Sequence, residues 1–171
     1  MRLFALDALT DVVEVNRVMM ESTGGWRHVT VAEMEGPVGF IAVGEPFLSM
    51  TPEVVEICKS LYGEGFESIL GPRLAALQRV QSTYPPECLR VSEIHVDPEY
   101  RRHGVGAALI THAVERAERE GLDRLGLQTL VGNPARDAFE AWGFEVAETT
   151  NDAVFEDLAG APGYHLMIRE L

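Results

Sequence analysis

Two neighbouring stretches carry the residues best suited to chemistry. Arg101-Arg102-His103-Gly104-Val105-Gly106-Ala107 sets two arginines ahead of two glycines spaced one residue apart. Glycines let a backbone curl until successive N–H groups converge. The unpaired N–H groups and positive dipole end of a helix starting there suit a phosphate or pyrophosphate. Absent side chains at 104 and 106 would let an anion come close, and Arg101 and Arg102 add charge; a tight helix entrance with two solvated arginines fits the same residues. Just upstream, Glu93 and His95 are two residues apart in an apolar run. Strand alternation puts them on one face with Val91, and Ser92, Ile94 and Val96 on the other, if no bulge intervenes. A carboxylate beside an imidazole is a proton-accepting pair. The imidazole, with a pKa of about 6.5, suits general base work untuned, whereas a carboxylate near 4.3 needs desolvation or a water chain. A strand-edge ion pair is the structural alternative.

Other chemistries lack their residues. The turn has no third glycine of GxGxxG and no Gly-Lys-Ser/Thr of a P-loop. His28, His103, His112 and His165 form no HExxH or ligand-like group and read as strand, turn or helix-face histidines, so no metal is expected. No Ser-His-Asp order is recognisable, and Met19-Met20 and Trp142 read as core filling. Cys58 and Cys88 form neither a CxxC pattern nor a pairing framework, which fits a reduced, cytoplasmic interior.

The turn needs a strand before it and a helix behind it. Leu89 to Val96, bounded by Asp97-Pro98, reads as the strand, and Gly104 to Glu120 as the helix, with Val105, Ala108, Leu109, Ala113 and Ala117 inward and Gly121 closing it. A strand over Leu125 to Val131 follows. Asn133-Pro134 then opens a helix with Ala135, Ala138, Phe139 and Trp142 at i, i+3, i+4 and i+7, stopped by Gly143. Phe144 to Thr149 and Tyr164 to Ile168 are the last strands, joined by an acidic segment containing Gly160, Pro162 and Gly163. Ahead of the turn, a strand over Met1 to Ala5 and an amphipathic helix over Leu9 to Met20 precede a hairpin of Val29-Thr30-Val31 and Val38 to Val43. Between hairpin and strand, Pro46 to Glu87 reads as two helices. The first has Thr51 as cap, Pro52 at its first position and Val54, Ile57, Cys58 and Leu61 on one face; Gly63 and Gly65 break it. The second is placed from Gly71-Pro72, with Leu74, Leu77 and Val80 inward, because proline deeper in a helix breaks its ladder. Tyr84-Pro85-Pro86 ends it.

At 171 residues and 46% hydrophobic composition the chain has the size and apolar content of one domain, residues 1–171, with no internal repeat. Its formal charge of -13 opposes nucleic-acid binding, which needs a basic surface; it biases the chain toward cationic amines, and solubility alone accounts for the same balance. No stretch reaches the roughly 18 uncharged apolar residues of a membrane span, so no membrane partner is expected.

Val96-Asp97-Pro98-Glu99-Tyr100-Arg101-Arg102-His103-Gly104-Val105-Gly106 resembles the R/Q-x-x-G-x-G/A motif of the GNAT superfamily of N-acetyltransferases. Asn133 to Phe144 resembles the family's second motif, an asparagine-led helix ending in Gly-Phe. The close resemblance spans Leu89 to Thr149. It implies an α/β (α+β) fold: a twisted mixed, largely antiparallel sheet flanked by helices, splayed at the strand before the turn, with acetyl-CoA wedged in the gap. It implies further that the backbone of Ile94 and Val96 pairs with the pantetheine arm, and that Arg101, Arg102, His103, Gly104, Val105, Gly106 and Ala107 hold the pyrophosphate. Asn133 would touch the cosubstrate beyond its thioester, or serve as a helix N-cap.

The resemblance also favours Glu93 as acceptor of the amine proton, often through water, with His95 as alternative or second relay member. The N–H of Ile94 or His95 would face the oxyanion. The chain departs from the family at Phe139, where a tyrosine hydroxyl is common; Tyr100 and Tyr164 are the remaining tyrosines near the motifs, and water can protonate the thiolate. The helices over 46–87 are a further departure, an insertion between strands 3 and 4 when the one at Met1 is counted, readable as a lid, a homodimer contact or a solvated pair. The implied activity is acetyl transfer from acetyl-CoA to a primary amine of a small molecule, peptide or protein in a ternary complex. A catalytically silent acyl-CoA sensor or scaffold and a diphosphate-binding regulator are the rivals.

Overall fold

The computed structural model describes Arg17, Glu21, 25–44 and 52–171. The expected strand at Met1 to Ala5, all but Arg17 of the helix at Leu9 to Met20, and the Thr51 cap lie outside these residues. Among the described residues six strands form one sheet: β1 (Val29–Glu33), β2 (Pro37–Val43), β3 (Cys88–Val96), β4 (Arg124–Leu130), β5 (Glu145–Asn151) and β6 (Gly163–Glu170), in the order β1-β2-β3-β4-β6-β5. β1/β2, β2/β3 and β4/β6 pair antiparallel, and β3/β4 parallel. The parallel pair requires a crossover, and α3 (Val105–Arg119) supplies it.

The apolar stripe of α3 matches the expected one at Leu109, Ala113 and Ala117, but Ala108, expected inward, is exposed and Ile110 is buried instead. Leu109, Ile110, Ala113 and Ala117 are buried against Ile41 and Val43 of β2, Leu89 and Val91 of β3, Leu125 and Leu127 of β4 and Met167 of β6. Phe139 from α4 (Arg136–Ala141) and Phe144 complete this core on the same face of the sheet. Burying each large side chain contributes about 1.5–3 kcal/mol, which fixes α3 on the sheet and its first turn at the end of β3.

One irregularity in β3 decides which side chains leave that core. The β2/β3 register runs from Gly39 opposite Val96 to Ala42 opposite Glu93, then jumps to Val43 opposite Val91. Ser92 is the extra residue, and its hydroxyl donates to the Ala42 carbonyl at 3.1 Å. A bulge of this kind reverses the alternation. Leu89 and Val91 face α3 below it, and Ile94 and Val96 pack toward α3 above it. The expected grouping of Val91 with Glu93 and His95 is therefore corrected: Glu93 and His95 stay together, but on the opposite face from Val91.

Contacts divide the chain into two compact units, the sheet with α3 and α4 in one and α1 (Pro52–Tyr62), α2 (Phe66–Val80) and α5 (Ala153–Ala159) in the other. α2 begins five residues before the expected start and contains Pro72. Buried Phe66 and Leu70 anchor the early turns, and Gly71 offers no Cβ to clash with the proline ring. α5 was not anticipated. Its signal was the Asp152 cap, whose carboxylate accepts from the Phe155 N–H at 2.8 Å, and the left-handed stop at Gly160. Arg79 of α2 reaches back to Asp152 at 2.9 Å, and that bond holds the Asp152 carboxyl below its usual range.

Candidate active site

The sheet opens where the sequence places its chemistry. β3 and β4 are paired from Cys88/Arg124 to Val91/Leu127, and no pairing continues beyond, although both strands do. The upper half of β3 thus keeps β2 on one side and an open edge on the other. The Asp97 N–H donates to the Val38 carbonyl at 2.9 Å, so the ladder phase turns the N–H and C=O of His95 toward β2. Those of Ile94 and Val96 point into the gap. This is the edge an extended amide-bearing chain could pair with, and it removes the His95 N–H from the oxyanion candidates while leaving that of Ile94.

Beyond β3, Asp97 caps a single 3-10 turn (Pro98–Tyr100), accepting from the Glu99 N–H at 3.0 Å. The chain reverses through Arg102 (φ 63°) and Gly104 (φ 86°) into α3. The first helical bond is from the Ala108 N–H to the Gly104 carbonyl, so the N–H groups of Val105, Gly106 and Ala107 lie ahead of the ladder at the positive end of a 15-residue helix. Arg101, Arg102, His103, Gly104 and Ala107 are exposed around them. Arg101 Nε donates to the Val96 carbonyl at 3.2 Å, tying the turn to the open edge.

The two glycines are there for different reasons. Gly104 has open space where a Cβ would sit and needs its left-handed backbone. A Cβ at Gly106 would lie 2.6 Å from the Trp142 ring, so its missing side chain serves internal packing, not anion approach as its place in the motif suggests.

Glu93 and His95 project from the other face of the same strand, roughly 6.5 Å apart along it. His95 is opposite Phe40, and the rings stack at 5.9 Å between centroids and 26° between planes. Glu93 is opposite Ala42, which is too small to cover it. Both residues are exposed as a whole. Burial of the carboxyl nevertheless pushes the Glu93 pKa above the ordinary carboxylate value, and a charge on His95 draws it partly back. A carboxylate so tuned is a better proton acceptor.

Asn133 is committed locally. Its amide donates to Thr129 Oγ1 at 2.9 Å and its side-chain oxygen accepts from the Ala135 N–H at 3.0 Å, closing a turn that delays α4 to Arg136. Phe139 is buried and meets Trp142 and Phe144 edge-on at 5.8 and 6.3 Å, a core position with no hydroxyl. Tyr100 ends the 3-10 turn. Tyr164 opens the β6 ladder opposite Leu130, on the Glu93 side of the sheet, and burial raises its pKa. His165 is buried with its Nδ1 2.8 Å from the Thr149 hydroxyl. Among the described residues no cluster of His, Cys, Asp or Glu could hold a metal ion, and no helix is long and apolar enough to cross a membrane.

The family model described as "Acetyltransferase (GNAT) family" matches residues 24–144, which include the hairpin, the open edge, the turn and α4. The chain belongs to the GNAT family of acetyltransferases. It is similar to the uncharacterized N-acetyltransferase YsnE of Bacillus subtilis (strain 168), at 24% identity over 157 residues, 84% of this chain and 99% of that one. It is also similar to the ribosomal protein bS18 alanine N-acetyltransferase of Escherichia coli (strain K12), at 40% identity over 55 residues, 32% of this chain and 37% of that one. In fold it matches a crystal structure of an acetyltransferase with a TM-score of 0.61, 21% identity and coverage of 95% and 82% of the two chains. The chain is thus an acyl-CoA-dependent N-acetyltransferase of the GNAT type, and acetyl-CoA is its cosubstrate.

Proposed function

We propose that this GNAT protein transfers the acetyl group of acetyl-CoA to a primary amine of a small molecule or peptide, in the cytoplasm and through one acetyltransferase domain into which the helices over 46–87 are inserted. The observation that carries the reading is the bulge at Ser92, which turns Glu93 and His95 away from the core beside the open edge of β3. The pantetheine arm pairs with the C=O of Ile94 and the N–H and C=O of Val96, and the N–H groups of Val105, Gly106 and Ala107, with Arg101 and Arg102, hold the pyrophosphate. Asn133 belongs to this site through the Thr129 turn, its own polar groups being used within the chain.

An alkyl ammonium, with a pKa of about 10, must lose a proton before its lone pair can attack the thioester carbonyl. Glu93 takes that proton, directly or through a water shared with His95. The nitrogen attacks the carbonyl carbon, and the Ile94 N–H faces the oxygen on which charge develops. The carbon–sulfur bond then breaks, the nitrogen releases its second proton to solvent, and solvent protonates the departing thiolate, because buried Phe139 has no hydroxyl to offer.

Thiol release measured across a panel of amines tests the reading. E93Q is expected to lose activity by about 100-fold and H95A by less, with coenzyme A affinity retained. Full turnover in both variants would contradict the assignment of the base. Tight coenzyme A binding with no thiol release from the unaltered protein would favour a silent acyl-CoA sensor.

A further inference from the structure

The indole of Trp142 occupies the place where Gly106 has no side chain. A Cβ at position 106 would lie 2.6 Å from both Cζ2 and Cη2 of Trp142, and 3.7 Å from Cγ2 of Val96. Gly106 is the second residue of α3 and one of the three whose N–H groups precede the helical ladder. The ring edge therefore bears directly on the backbone that presents those groups.

Trp142 is fixed through its backbone and braced at its ring by one aromatic neighbour. It closes α4, its N–H bonding to the carbonyls of Ala138 and Phe139 at 3.0 and 3.1 Å. Its own carbonyl accepts from Arg169 Nη1 of β6 at 2.9 Å, and its ring meets Phe139 edge-on. On the other flank, Gly39 of β2 lies opposite Val96 and lets β3 come close; a Cβ there would lie 2.7 Å from the His95 carbonyl oxygen, 3.3 Å from Val96 Cα and 3.4 Å from Val105 Cγ1. The first turn of α3 is gripped between the sheet and an aromatic wedge, whereas Gly104 just before it has nothing within 4 Å of its missing Cβ.

We propose that Trp142 is a positioning residue for acetyl-CoA: its ring edge sets the height of the first turn of α3 and hence the aim of the Val105, Gly106 and Ala107 N–H groups at the pyrophosphate. The inference rests on that turn being the coenzyme A site. A contact of 2.6 Å must open by roughly 1 Å to reach an ordinary carbon–carbon separation, enough to spoil hydrogen bonds whose useful range is only about 0.5 Å wide. Alanine at 106 pushes the turn away from Trp142, a smaller residue at 142 lets it sink, and the two changes together offset each other.

G106A, W142L and the double variant test this through the KM for acetyl-CoA, the coenzyme A affinity by calorimetry, kcat at saturation and Tm. G106A should raise the KM about tenfold or more and W142L about threefold to tenfold, each with kcat within about threefold. The double variant should bind coenzyme A at least about fivefold more tightly than G106A, a coupling that general destabilisation does not produce. A double variant as weak as the two singles combined would overturn the proposal. So would an unchanged coenzyme A affinity in both W142L and the milder W142F, whatever their Tm. R102A separates the two levels of the account: affinity indifferent to both R102A and G106A removes the turn as the site, while affinity lost in R102A but indifferent to residue 142 removes only the positioning role.

Discussion

The two halves of β3 differ more from each other than many separate strands do. From Cys88 to Val91 the backbone is paired to β4, Val91 is also paired to β2, the Arg90 carbonyl accepts from the Gly44 N–H at 2.7 Å, and Leu89 and Val91 are buried beneath α3. From Ser92 to Val96 one edge is unpaired, and the alternation has shifted so that a carboxylate and an imidazole project on the face away from α3. The lower half closes its edge against β4. The upper half leaves N–H and C=O groups for something else to satisfy, and it is there that the bulge brings out titratable side chains. The proposed chemistry thus falls on residues adjacent to the buried ones of the same strand.

Inserting one alanine between Ala42 and Val43 attacks this division most severely. With Ser92 given a partner the ladder would run without a bulge, and keeping Val43 and Val91 beneath α3 would turn Glu93 and His95 to the α3 face and expel Ile41, Ile94 and Val96. The expected result is loss of both cooperative unfolding and activity, read by circular dichroism and thiol release. An insertion variant that stayed folded and active would refute the register. L89A should separate the halves from below. Removing that buried side chain should cost about 2–5 kcal/mol in denaturant unfolding, with kinetics of the folded fraction unchanged. R101A removes a charge and the bond to the Val96 carbonyl, and should raise the KM for acetyl-CoA several-fold with little effect on kcat or Tm.

The smallest expected effect concerns pH. Because burial raises the Glu93 pKa in the folded protein, the native state holds that proton more tightly than the unfolded chain does. Glu93 therefore subtracts stability as pH rises from the ordinary carboxylate pKa through its raised value, and E93Q, lacking the charge, should gain Tm relative to the unaltered protein as pH moves from about 4 to 7. The same titration should set the acidic limb of kcat/KM, displaced above the usual carboxylate range and absent in E93Q.

Much of this was legible in the chain. The turn at 101–107 announces itself because glycine and arginine have distinctive local roles, and the α3 and α4 stripes follow from apolar spacing. The bulge had no comparable signature: Ser92 is unremarkable in a strand, and the register jump appears only when β2 is laid beside β3. The partner of Gly106 was hidden for a similar reason, since Trp142 is remote in sequence and its helix position reads simply as apolar. Asn133 kept its two readings because one amide can cap a helix or meet a ligand, and only its bonds to Thr129 and Ala135 show how its polar groups are used. Pro72 hides the start of α2, because proline favours a first-turn position, whereas the helix begins at Phe66, where buried Phe66 and Leu70 anchor its early turns.

Amide hydrogen exchange with and without coenzyme A bears most directly on the claim that the open half of β3 and the start of α3 form one binding edge. The N–H groups of Val96, Val105, Gly106 and Ala107 should exchange readily in the free protein and become protected when coenzyme A binds, while Val91 and His95, already in ladders, change little. Protection confined to other segments, or Val96 protected equally without coenzyme A, would contradict it.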